Sequence, residues 1–224
     1  MKTDPISPLP DSILPCWVWR LTLLGIALVI GITASGAILL ARGAANPPVA
    51  GPEIWEDPNG TWTITLAAGQ GRWWLFLEPE SRLPGGDFTA EVRARLSVES
   101  DPSAAWGVWI LSPDDSTVIY AISGEGYVTT RRCPPNEKPE SDIEACPALR
   151  PEWRWMPYPR VLLPGDSNTI TLHREPSGDI RFRLNGEILG AAPVDRDGAW
   201  GVWARGGRDH AAVITFERAT LRVK

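Results

Sequence analysis

Residues 169–189 read TITLHREPSGDIRFRLNGEIL, and this stretch decides the fold. Ile170 and Leu172 alternate with polar neighbours, and so do Ile180, Phe182 and Leu184. A period of two marks a strand with one buried face, so a strand stands on each side of the turn Pro176-Ser177-Gly178-Asp179. Arg181 and Arg183 fall on the outward side, and so does His173 on the first strand. Asn185-Gly186 turns the chain again, because both residue types accept the positive φ of a tight hairpin. Ile188 and Leu189 open the next strand. Such half-buried strands belong to an antiparallel sheet.

The same alternation runs outward in both directions. In Thr61–Leu66, Trp62, Ile64 and Leu66 share a face. In Phe88–Leu96, Phe88, Ala90, Val92, Ala94 and Leu96 face inward, while Thr89, Glu91, Arg93 and Arg95 take the solvent side. The last strand carries Ala212, Ile214 and Phe216, then Ala219, Leu221 and Val223. Its phase slips at Glu217-Arg218, which predicts a bulge there. Three strands, 73–77, 105–110 and 199–203, are apolar on both faces, and the last two repeat AWGVW. Trp106 and Trp200 read as core. Gly107, Trp109, Gly201 and Trp203 then line the opposite face, where a glycine lets another group approach the backbone closely. Two readings of that face stay open. It is a groove for a sugar ring or a partner's side chains, or it is covered by the protein's own insertion at residues 131–160. That insertion holds Cys133, Cys146, Trp153, Trp155, Met156 and Tyr158.

The run from Asn168 to Leu172, the strand Gly178 to Leu189 with its Asn-Gly, the stretch Gly198 to Ala204 and the closing Val213 to Glu217 resemble the second half of concanavalin A-like jelly rolls. The laminin-G-like and family-16-glycosidase-like domains are most similar. Ala104 to Ile110 resembles their glycine-centred strand, and Tyr120 to Val128 their Tyr…Gly-x-Tyr hairpin. The likeness covers about Trp55 to Val223. It implies an all-β, antiparallel jelly-roll sandwich and leaves activity open, since such domains serve lectins, glycosidases and adhesion modules alike.

Ahead of this domain lies Leu21–Ala41, LTLLGIALVIGITASGAILLA, without a charged residue. At 1.5 Å per residue it covers about 30 Å, the thickness of a bilayer's hydrocarbon core, so it reads as a transmembrane α-helix within residues 16–42. Residues 1–15 read as a short disordered cytoplasmic tail and residues 43–53 as a Pro/Ala/Gly linker, with the domain at 54–224. Lys2 and Arg20 precede the span and Arg42 follows it, which puts the N-terminus on the cytoplasmic side. A retained signal anchor is the reading adopted; a signal peptide cleaved near Gly43-Ala44-Ala45 is the rival. Cys16 precedes the span and reads as an inert thiol. Ala27, Gly31 and Ser35 recur every four residues, the spacing that seats a second helix.

The net charge of −5 and the sequence pI near 5.2 exclude the basic stripe that nucleic acid requires. Cys133 and Cys146, with twelve residues between them, read as a disulfide of an oxidising compartment. Glu140, Asp142 and Glu144 form the one alternating acidic string a glycosidase would need, but prolines surround it and it reads as a solvated loop. His173 and His210 read as surface residues. Asp195, Asp197, Asp114 and Asp115 are turn residues that would also suit calcium; no other cofactor is implied.

These readings converge on a single-pass membrane protein with an extracytoplasmic, non-catalytic recognition domain. Its partners are the bilayer, through Leu21–Ala41, and a glycan or an envelope protein. The expected binding residues are Trp109 and Trp203, with Trp74, Tyr120, Tyr127 and Arg131 beside them. An accessory subunit of a larger membrane complex is the alternative, and a glycoside hydrolase the third reading.

Overall fold

The computed structural model describes residues 16–41, 51–112, 114–135, 143–174, 178–193 and 198–223. The first unit is helix α1, Cys16–Ala41, which contains a 22-residue apolar stretch, Trp17–Ile38, long enough to cross a bilayer. Ala27, Gly31 and Ser35 line one shallow groove along it. The expected tail, residues 1–15, and most of the expected linker lie outside the described residues.

The second unit is an antiparallel sandwich. One sheet contains β1 (Glu53–Glu56), β13 (Ala212–Val223), β4 (Phe88–Leu96), β9 (Ser167–Arg174), β10 (Asp179–Leu184) and β11 (Glu187–Pro193), in that order, with β2 (Trp62–Leu66) also paired to β13. The other contains β3 (Gly71–Leu75), β12 (Trp200–Arg205), β5 (Ala105–Leu111), β6 (Thr117–Ser123), β7 (Tyr127–Cys133) and the two-residue β8 (Met156–Pro157). Inward residues of both sheets interdigitate. Phe88, Val92, Ile170, Leu172, Phe182 and Ile214 of the first meet Trp106, Val108, Tyr120 and Trp200 of the second.

Alternation produced these elements for a physical reason: each strand buries one face, and a one-residue slip would expose it. Asn185 and Gly186 adopt φ of 50° and 87°, the paired positive values of a tight hairpin. Asn185 Oδ1 accepts from the Thr169 amide, and its Nδ2 donates to Asn168 Oδ1. Asn168 in turn exchanges two hydrogen bonds with the Leu162 backbone, which ties the preceding loop to β9. The register slips between Phe216 and Arg218, where the bulge is expected. The turn residues Pro176 and Ser177 lie outside the described residues.

Three outward assignments differ from expectation. Thr89, His173 and Arg183 face away from the core yet are buried. His173 Nδ1 lies 3.1 Å from the Phe88 carbonyl and 3.4 Å from Thr89 Oγ1, so its polar atom is satisfied within the sheet instead of by water. The apolar strand expected over residues 73–77 ends at Leu75, and Leu77 is 79% exposed.

Trp55, Trp106, Trp109, Trp200 and Trp203 are buried. Trp55 meets Phe76 and Trp200 at 4.9 and 5.8 Å, and Trp62 stacks on Phe216 at 4.4 Å. Large rings filling the space between sheets account for much of the aromatic content.

Candidate functional site

The face of the β3–β12–β5–β6–β7–β8 sheet that points away from the core is divided in two. One half is closed. The Cys133–Cys146 disulfide forms, and the chain beyond it returns antiparallel along β7: Arg132 N–H donates to the Pro147 carbonyl and Leu149 N–H to the Thr130 carbonyl. This brings Ile143 and Cys146 down onto Trp109, Trp203, Ile119 and Ala121, with Trp73, Leu111 and Trp155 around them. The insertion is a cover.

The expected binding residues are corrected by this cover. Trp109 is 3% exposed and Trp203 is 0% exposed, so neither offers a ring face to a ligand. Trp109 lies across β12, and its Nε1 donates to the carbonyls of Trp74 and Val202 at 3.2 and 3.1 Å. Gly201 permits that crossing, because a Cβ there would stand 1.9 Å from the Trp74 oxygen and 2.9 Å from the Trp109 ring. The close approach a glycine allows is made by the protein's own chain. Tyr120 points into the core, stacked on Phe182 at 4.2 Å. Trp74 packs against the same core. Arg131 is buried, donating from Nη1 to the Cys146 carbonyl and from Nε to Thr129 Oγ1, and so holds the cover in place.

The covalent closure of this cover gives a direct prediction. Replacing both cysteines by serine frees a loop of 13 residues' separation and should lower stability by about 3 kcal/mol. A urea midpoint unchanged from wild type would contradict it.

The other half of the face is open. A cleft of about 510 Å³ is lined by Ser103, Ser123, Glu125, Tyr127, Trp155, Arg205 and Arg208. Of the expected residues only Tyr127 lines it. Arg205, Ala105 and Ser123 form one row across β12, β5 and β6, and Trp155 comes from the insertion. The cleft is at the end of the sandwich served by the loop after β4. The chain enters the domain at the opposite end, where Glu53 pairs with Arg222 and Val223 pairs with Phe88.

Two devices hold the cleft walls. Glu144, read from sequence as part of a solvated acidic string, accepts from Trp155 Nε1 at 3.1 Å and lies 3.4 Å from Arg205 Nη1. It joins an aromatic wall to a cationic one. Glu140 and Asp142 lie outside the described residues. Trp155 has φ of 128°, a conformation unfavourable for any residue but glycine, and such strain concentrates at working sites.

The second device is Asp101. Its carboxylate accepts from Ser103 N and Oγ and from the amides of Asp209 and His210 at 2.7 to 3.1 Å. These donors, Ser103 Oγ first, hold the Asp101 carboxyl well below the usual carboxylate range. Ser103 Oγ also accepts from the Arg208 amide at 2.8 Å. The loop bearing Arg208 is thereby pinned through three successive amides. His210 is exposed, as expected.

Asp114 is occupied by its own turn, accepting from the Ser116 amide at 3.0 Å and from the Ser116 hydroxyl. Among the described residues no three His, Cys, Asp or Glu side chains converge as a metal site. Asp195 and Asp197 lie outside the described residues.

No protein-family model and no curated protein matches this sequence. Solved structures do. The carbohydrate recognition domain of Emp46p superposes with a TM-score of 0.51 at 9% identity, over 78% of this chain and 98% of that one. The fold is a concanavalin A-like jelly-roll sandwich. Carbohydrate-binding module CBM66 from Bacillus subtilis matches this jelly roll at a TM-score of 0.45 and 13% identity, covering 73% of this chain and 96% of that one. An alginate lyase, A1-II′, matches it at 0.46 and 11%, covering 75% and 82%.

Proposed function

We propose that this protein is a membrane-anchored binding module whose extracytoplasmic jelly roll takes a glycan in the cleft between Tyr127, Trp155, Arg205 and Arg208. The observation that carries the reading is the pairing, in one open cleft, of two aromatic side chains with hydroxyl, carboxylate and guanidinium groups. A sugar presents apolar C–H faces and a rim of hydroxyls, and this lining offers a partner to each. A pair of catalytic carboxylates is not part of the proposal: Glu125 is the one acidic side chain lining the cleft among the described residues, and glycoside hydrolysis by two carboxylates needs a second.

The apolar length of α1 supports anchoring, and the disulfide supports an oxidising compartment on the domain's side of the membrane. The Emp46p domain, a carbohydrate recognition domain of the same fold, agrees with this use of it. The test is a glycan array probed with the full chain in nanodiscs. Binding to a defined set of glycans is expected. A chain that binds none, and that migrates in mild detergent within a larger assembly, overturns the reading in favour of an accessory subunit docked through the groove on α1.

A further inference from the structure

Resting on the glycan-cleft reading, we infer that the ligand is an acidic glycan, with a carboxylated or sulfated sugar unit held by Arg208 beside the Trp155 ring. The argument begins with charge. The chain is acidic overall, at −5, yet two guanidinium groups line one cleft. Hydroxyls of a neutral sugar are satisfied by donors and acceptors of any charge. Each guanidinium faces one carboxylate, Glu144 beside Arg205 and Glu125 beside Arg208, and the two differ in how fully that carboxylate engages them.

The two arginines are not equivalent. Arg205 has a side chain only 11% exposed and stands 3.4 Å from the Glu144 carboxylate, so its charge is compensated from within the wall. Arg208 is 68% exposed, and its ion pair with Glu125 spans 3.9 Å, too long for a hydrogen bond. A guanidinium presents a planar fork of donors that suits the paired oxygens of a carboxylate or sulfate.

The loop that carries Arg208 is held more firmly than an exposed loop requires. Its own amide donates to Ser103 Oγ, and the next two amides donate to the Asp101 carboxylate. Gly207 lies flat against Asp101, where a Cβ would meet the carboxylate at 2.1 Å. Fixing the backbone in advance lowers the entropy lost when a ligand is gripped. Asp101 is therefore a positioning residue for Arg208. Trp155 supplies the complementary surface, a ring half exposed at the opening of the cleft.

The experiment measures binding of the full chain in nanodiscs to matched pairs of oligosaccharides. One pair is a uronate oligomer and its carboxyl-reduced counterpart; the other is a sulfated oligomer and its desulfated counterpart. The acidic member of at least one pair should bind better, by about tenfold. Arg208→Gln should erase most of that preference; the side chain is exposed and the loop is held by backbone groups, so the fold survives the change. Glu125→Gln should raise affinity for the acidic member about threefold, because it removes a competing anion. Equal binding within both pairs overturns the inference and leaves the glycan cleft standing. A preference that persists in Arg208→Gln also overturns it. Failure to bind any member of any charge removes the glycan reading and this inference together.

Discussion

Gly107→Ala is expected to destabilise the jelly roll by about 3 kcal/mol or more, a loss at the upper end of what overpacking produces. A Cβ at Gly107 would stand 2.1 Å from the Tyr120 carbonyl oxygen and 2.7 Å from the Ala121 Cα. Both are backbone atoms of β6, and β5 is clamped between β6 and β12, so neither side is free to give way. Relief requires breaking ladder hydrogen bonds in the middle of the sheet. Gly201→Ala should act alike, against the Trp74 oxygen at 1.9 Å. Gly86 is the control: nothing lies within 4 Å of a Cβ built there, so Gly86→Ala should stay within about 0.5 kcal/mol of wild type. Urea unfolding of the full chain followed by tryptophan fluorescence reads all three. If Gly107→Ala unfolds with the control, the two glycines of the AWGVW repeat do not serve the strand packing described above.

That repeat shows where sequence reading succeeds and where it stops. Alternation places Trp106 and Trp200 in the core and Trp109 and Trp203 on the other face, and the structure does the same. It delimits β4 at Phe88–Leu96 and locates the bulge of β13. These features follow from local physics, the period of the pleat and the positive φ of Asn-Gly. What covers a face does not. Trp109 looks identical in sequence whether it stacks on a ligand or lies under the residues beyond Cys133, because only long-range docking of the insertion decides between them. Arg205 carried a usable signal: it is two residues beyond Trp203, hence on the same outward face, at the end the cover leaves open. Arg208 and Trp155 carried none, since one rides a loop set by Asp101 and the other an insertion whose path alternation cannot trace. His173 was placed on the correct side of β9 and still buried, because a neighbouring carbonyl and hydroxyl took the role assigned to water.

Trp155→Gly should cut glycan affinity about 30-fold or more, the loss typical of a central aromatic contact, while costing less stability than Trp155→Ala. The two effects separate because of the backbone. At φ of 128° Trp155 holds a conformation that glycine adopts freely and alanine does not. Glycine therefore recovers part of the strain energy even as the ring is lost. Trp109→Ala provides the contrast. Its ring is enclosed and its Nε1 bonds two strands, so removing it should cost about 3 to 5 kcal/mol, and binding should fall only as the domain unfolds. Measured side by side by calorimetric titration and urea unfolding, the pair separates a wall of the cleft from a beam beneath it. Wild-type affinity in Trp155→Gly would move the ligand away from this cleft. The expected pattern, affinity lost with little stability lost, would make the strain at Trp155 the cost of holding an aromatic ring where a sugar can reach it.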